Sequence, residues 1–181
     1  MRAFGTPREV LTAGSDALEC AGLRPDVARA IARFRDWRNV DSQMERLART
    51  RAVLVTWNDR AYPSLLRQVH DPPPFLFCLG VPHPADALAV AVVGSRNVSG
   101  YGLRMARELA EGLTSYGVTV VSGLARGTDA AAHWAAFRGG GRTIAVLGSG
   151  IDVIYPGEHR SLAQAISSRG AVMTEFSVGT P

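Results

Sequence analysis

Residues 89–102 read AVAVVGSRNVSGYG. The apolar residues Ala89, Val90, Ala91, Val92 and Val93 run without alternation into Gly94, and LRMARELAEGL follows at helical spacing. An unbroken apolar run of this kind reads as a strand buried on both faces of a parallel sheet. The stretch therefore predicts a strand, a glycine turn and a helix. Such a helix start offers unpaired N–H groups and the positive end of a macrodipole, so a phosphate or another anion is the default occupant.

The residue types in the turn narrow which phosphate. A dinucleotide fingerprint needs a second glycine two residues after the first, so that the backbone can approach a pyrophosphate. Arg96 stands there instead. A guanidinium obstructs that close approach, but its fork of donors can grip a phosphodiester. The acidic residue that would hold a ribose, expected roughly 20 residues on, is also missing, because the next strand, VTVV, ends at Ser122. A Walker loop is excluded, since the chain contains no lysine. Taken alone, the turn is equally compatible with plain closure of a βα unit around a solvated Arg96.

The bulk numbers set the frame. With 181 residues, the chain has room for one sizeable core and a small appendage. At 46% hydrophobic and 20% charged residues it reads as a soluble globular protein. Residues 1–60 carry 11 Arg against 8 acids and residues 61–181 carry 9 against 8, so the net charge of +4 marks neither part as a basic tail. The use of Arg to the exclusion of Lys reflects genome base composition better than selection for phosphate. Cys20 and Cys78 fit no metal spacing and read as small core residues of a reducing compartment. No signal peptide and no apolar run of about 18 residues is visible, which predicts a cytoplasmic chain with no membrane contact. Neither a metal nor a cofactor is expected.

Residues 1–50 read as helices over 7–23, 25–37 and 41–50, started by Ser15 or Asp16, by Pro25 with Asp26 and by Asp41 with Ser42. The joint AGLRP at 21–25 is similar to a helix-hairpin-helix, although a plain packing module explains it as well. Residues 51–87 read as a linker with lead-in strands: AVLVTW at 52–57 and FLFCL at 75–79, the latter bounded by Pro72, Pro73, Pro74, Pro82 and Pro84. From 88 to 181 strands and helices alternate: strands at 88–93, 118–121, 143–147 and 171–174, helices at 99–116, 128–137 and 158–168. This predicts an α/β fold, a Rossmann-like three-layer parallel sheet covered on both faces and preceded by a small helical segment.

Ligands of such sheets sit beyond the carboxyl ends of the strands. The loops there are uniform: GSRNVS at 94–99, SGLARG at 122–127, GSGID at 148–152 and Glu175-Phe176. Three glycine-bearing, hydroxyl-bearing loops on one edge, two of them with an arginine, exceed what turn chemistry requires. Asp129 is open to a capping or a ligand role. His133, one helical turn on, suits packing or catalysis, and Tyr155 suits a wedge or a base-stacking platform.

Laid out as GSRNVSGYG, SGLARGTDAAAH, GRTIAVLGSGIDVIYP and a terminal TEF, the chain resembles the DNA-processing protein A (DprA/Smf) family through the whole of 89–181. DRAYPSLLRQVHDPPPFLFCLG resembles that family's lead-in, and the helical N-terminus is similar to its small accessory domain, a SAM-like or helix-hairpin-helix-like unit. The resemblance implies a non-catalytic protein that binds single-stranded DNA in a positive pocket, protects incoming DNA and passes it to the RecA recombinase during natural transformation. It further implies phosphate-binding roles for Gly94, Ser95, Arg96 and Ser99, for Ser122, Gly123, Arg126 and Gly127, for Arg142 at the head of the third strand, and for Gly148 and Gly150. Thr128 departs from the isoleucine usual in the family. The family pattern also continues beyond Pro181 into an Arg-Asn-Arg segment and further strands. A truncated chain is therefore expected, with an exposed sheet edge and most of the homodimer and RecA surfaces absent.

The competing reading is a small-nucleotide sensor or a phosphoribohydrolase-like enzyme of the related Rossmann-like superfamily. It would need a Pro-Gly-Gly-x-Gly-Thr loop after a strand, whereas Gly139-Gly140-Gly141 precedes one. Its only acid–base groups would be Asp129, His133 and Glu175.

Overall fold

The computed structural model describes residues 3–181 and divides them into two compact units, one comprising Glu45–Pro181 and one formed by the described residues before it. The first unit holds α1 (Pro7–Thr12), α2 (Ser15–Cys20), α3 (Pro25–Ala32) and the start of α4 (Trp37–Arg49). The helix expected over 7–23 is broken because Ala13 and Gly14 are both extended. Thr6 starts α1 by accepting the Glu9 N–H at 3.3 Å, and Pro25 opens α3 where a missing N–H costs nothing. The α2–α3 joint is a Schellman turn. Gly22 lies at φ 94°, the Leu23 N–H donates to Leu18 O at 3.1 Å and the Gly22 N–H to Glu19 O at 2.9 Å. Both hairpin amides are thereby spent inside the turn, which speaks for packing. Leu18 and Ala28 are fully buried, whereas Cys20, read from the sequence as a core residue, is exposed.

The second unit is built on a sheet of β1 (Val53–Thr56), β2 (Phe75–Gly80), β3 (Ala89–Ala91), β4 (Thr119–Ser122), β5 (Thr143–Val146) and β6 (Ala171–Thr174), in the spatial order β1-β2-β6-β5-β4-β3. Strands β3 to β6 are parallel; β1 and β2 are antiparallel additions, so residues 51–87 contribute to the same sheet. The crossover helices are α5 (Gly100–Ser115), α6 (Thr128–Arg138) and α7 (Arg160–Arg169). Every crossover steps in the same direction along β3-β4-β5-β6, and right-handed crossovers that step one way stay on one face. All three helices therefore share a layer, and the third layer is a loop at 57–69 with a 3-10 turn at Leu66–Gln68.

Strand alternation divides the core accordingly. Phe77, Ala145 and Val172 face the helices with Leu124, Leu162 and Ile166. Leu76, Cys78, Ile144 and Met173 face the loop layer with Val55 and the buried Tyr62, whose hydroxyl donates to Pro73 O at 2.7 Å. Burial pushes the Cys78 thiol up to about 12. One sequence expectation is corrected here. The run Ala89 to Val93 reads as a strand buried on both faces, but β3 is the edge of the sheet, with Val90 42% and Val93 70% exposed. An apolar run records the affinity of a strand for cover, and among the described residues only β4 pairs with it.

Beneath the parallel strands, His133 of α6 is fully buried. The Thr143 hydroxyl donates to Val120 O at 2.8 Å, so it accepts from His133 Nδ1–H at 2.6 Å, which assigns the tautomer from the network. Burial lowers the His133 pKa from 6.5 to about 4. A folded-state value below the unfolded one means that the associated stability is complete above about pH 6.5 and is lost as the pH falls toward 4. The full loss is roughly 3 kcal/mol. We predict that urea unfolding of the wild type loses about 2 kcal/mol more between neutral pH and mild acid than His133→Leu does. Identical pH dependence of the two proteins would contradict the assignment.

Candidate functional site

The carboxyl ends of β3 and β4 deliver two loops, 92–99 and 123–127, to one place. The Ser95 carbonyl accepts the Thr128 N–H at 3.2 Å and the Thr128 hydroxyl at 3.3 Å. Gly127, at φ 77°, lies so close that a Cβ there would sit 2.4 Å from Ser95 O and 2.8 Å from Arg96 O. Gly94 is packed the same way, since a Cβ at that position would meet Thr128 Oγ1 at 2.6 Å. Two glycines are thus required by close approach, and together they seat the GSR turn on the first turn of α6. The Ser95 hydroxyl closes the turn on itself, donating to Asn97 O at 2.9 Å and accepting the Asn97 N–H at 3.1 Å. Ser99 caps α5 by accepting the Gly102 N–H at 3.2 Å. What projects from this frame is Arg96, exposed and in no ion pair among the described residues.

The second loop is held from below. Asp129 accepts the Gly123 and Ala125 N–H groups, each at 3.2 Å, so its carboxylate orders the loop. The Ser122 hydroxyl donates to Val92 O at 2.6 Å and ties β4 to the end of β3. Leu124 takes a left-handed conformation at φ 61° with its side chain fully buried, and its carbonyl accepts from His159 Nδ1 at 2.7 Å. A non-glycine residue in that region stores strain, which a structure retains only where the surroundings over-determine it. Arg126 stands at the rim, bidentate to Glu158 at 2.7 and 2.8 Å with both side chains more than half exposed. The Arg126 hydrogen bonds hold the Glu158 carboxyl below its ordinary value, and those same bonds raise the arginine. Tyr155 beside them is 64% exposed.

The remaining residues separate from this centre. Gly148 is exposed with open space around it, whereas Gly150 is turned toward the 177–180 segment: its N–H donates to Thr180 O at 2.8 Å and a Cβ would meet Ser177 O at 2.5 Å. Arg142 does not join the site. It enters at the amino end of β5, and a parallel strand carries that end to the opposite edge of the sheet. There its guanidinium is bidentate to Asp86 at 2.8 and 2.9 Å and donates to Val81 O at 3.1 Å and to Arg169 O. Burial alone would raise the Asp86 carboxyl, but hydrogen bonds from Arg142, the His83 N–H and the Thr119 hydroxyl hold it lowered. The sequence flagged Arg142 by its motif and missed Glu158, whose partner lies 32 residues away in the chain.

Of the three acid–base groups named from the sequence, Glu175 is exposed. His133 is sealed in the core and Asp129 is engaged by backbone amides. Among the described residues no cluster of three or more His, Cys, Asp or Glu could hold a metal, and no helix is long and apolar enough to cross a membrane.

Residues 53–181 match the family model of DNA recombination-mediator protein A. Protein Smf of Synechocystis sp. is 42% identical over 130 residues, covering 70% of this chain and 33% of the relative. The crystal structure of DNA processing protein A from Streptococcus pneumoniae superposes with a TM-score of 0.75 at 32% identity, covering 92% of this chain and 57% of the other. DNA processing protein A from Helicobacter pylori, whose structure addresses its single-stranded DNA binding mode, gives a TM-score of 0.61 at 29% identity over 71% of this chain and 58% of the other. The chain spans about a third to a half of the length of the curated relatives it matches.

The two glycine environments make contrasting predictions for stability. Gly127→Ala should lose roughly 1–3 kcal/mol in chemical denaturation. Gly148→Ala should stay within about 0.5 kcal/mol of wild type. Equal effects would show that the loops are not seated by the Gly127 contact.

Proposed function

Because this chain belongs to the DNA recombination-mediator protein A family, we propose that it binds single-stranded DNA by its phosphate backbone along the carboxyl edge of β3 and β4. The observation that carries the reading is the exposed Arg96, in no ion pair among the described residues and presented by a turn that glycine contacts fix in place. The similarity to the Helicobacter pylori protein and its DNA-binding mode supports it. A guanidinium on a rigid turn offers directed donors to a phosphodiester without reading its base, so binding should be nearly sequence-blind and strongly dependent on salt. Tyr155 offers one exposed ring for a base. Arg126 is a reserve cation, because a phosphate must displace Glu158 to reach it.

The protein acts as a binder rather than an enzyme, protecting incoming DNA in the cytoplasm and handing it to a recombinase of the RecA kind during natural transformation, with a homodimer as the working form. The engagement of Asp129 and His133 favours this over nucleotide hydrolysis.

Fluorescence anisotropy of a labelled short poly-dT oligonucleotide at two salt concentrations tests the site. Arg96→Ala is expected to weaken binding and to reduce the magnitude of the log–log salt slope by about 0.7. Glu158→Gln is expected to tighten binding a few-fold by releasing Arg126. Wild-type affinity and slope in Arg96→Ala would overturn the reading, as would displacement of the oligonucleotide by equimolar AMP.

A further inference from the structure

Arg96 heads a second feature that the loop site does not use. A groove of about 430 Å³ runs between α5 and α6. Its α5 wall carries Leu103, Arg107 and Glu111, and its α6 wall carries Ala130, Trp134 and Arg138. Both sets are spaced four residues apart, so each forms a straight stripe along its helix. Three of the five α6 residues that line the groove are alanines, at 130, 131 and 135, and these short side chains leave room in it. Along α6 its lining runs from Ala130 to Arg138, about 12 Å at ~1.5 Å per residue.

The chemistry of this groove is one-sided. Arg96, Arg107 and Arg138 line it against a single carboxylate, Glu111, and none of the three is in an ion pair among the described residues. A cation at the carboxyl end of α6 suits the helix dipole, which accounts for Arg138 alone; it does not account for three arginines facing one channel. Trp134 is half-buried, braced edge-on by Phe137 at 6.2 Å, with the Arg138 guanidinium 5.2 Å from its ring centre. An indole with one guanidinium against its ring, in a groove lined by three arginines, combines the two elements used for single strands: phosphate-neutralising charge and a stacking surface.

We propose that the α5–α6 groove is an extension of the DNA site, in which the strand leaving Arg96 continues past Arg107 to Arg138, with one base against Trp134. The inference rests on the single-stranded DNA reading above. It makes Arg96 the junction between the loop edge and the helical face, and it gives the chain a longer footprint than the loops alone supply.

The test compares a short and a long poly-dT oligonucleotide on the full chain. Arg107→Gln with Arg138→Gln, both at positions outside the buried core, should leave the short oligonucleotide at wild-type affinity and weaken the long one. For the long oligonucleotide the magnitude of the salt slope should fall by about 0.7 for each arginine removed. Glu111→Gln should tighten the long oligonucleotide only. Quenching of tryptophan emission by the long oligonucleotide should disappear in Trp134→Phe. Equal affinity of wild type for both lengths, or no effect of the double variant on the longer, would overturn the groove while leaving the loop site standing. Failure of the wild type to bind either oligonucleotide at low salt would overturn both.

Discussion

One backbone contact governs the geometry of the site: the Ser95 carbonyl resting on the first turn of α6, where it takes the Thr128 N–H and hydroxyl. The contact exists because Gly94 and Gly127 carry no Cβ. A side chain at either position would separate two loops that arrive from adjacent parallel strands. It also uses a helix-start amide that a phosphate would otherwise reach. In the proposed reading, anion recognition is thereby shifted from the bare helix terminus, the usual device of glycine-turn α/β proteins, to the Arg96 guanidinium.

The rest of the edge is tuned around that shift. Arg126 is latched by Glu158, Asp129 is committed to holding the second loop, and Asp152 is bound by Arg46 at 3.3 Å and by the Gly179 N–H at 2.7 Å. Arg96 is exposed on the first loop and is in no ion pair among the described residues. The sheet supports this arrangement asymmetrically. All three crossover helices lie on one face, which packs α6 against α5 and creates the groove at the head of which Arg96 stands. The other face carries a loop layer and leaves β3 exposed along its edge.

Much of this was legible in the residues. Alternation of apolar runs with helical spacing located every strand and helix of the 88–181 region to within a few residues, because local patterning records burial directly. The three glycine loops and Arg96 were legible as lying beyond the carboxyl ends of the parallel strands, because the strand–loop–helix order fixes which end each loop leaves. What patterning cannot record is which strand lies outermost and which helices share a face. Those depend on the order of pairing, so Val90 and Val93 read as core and proved exposed. Partnerships across long sequence separations were equally hidden. Arg142 with Asp86 and Arg126 with Glu158 differ sharply in role, yet each arginine looks alike in its motif. The extra helix break at Ala13–Gly14 and the early start of α4 were lost because weak caps compete closely in short helices.

The most direct test of the central claim is to map where the strand lies. Backbone amide chemical shifts of the labelled protein, recorded with and without an unlabelled poly-dT oligonucleotide, should change in a continuous patch over the 94–99 and 123–127 loops. Amides around Arg142 and Asp86 at the opposite edge should stay unperturbed. A patch centred on that opposite edge, or on the apolar face beside Ile144 and Met173, would contradict the account.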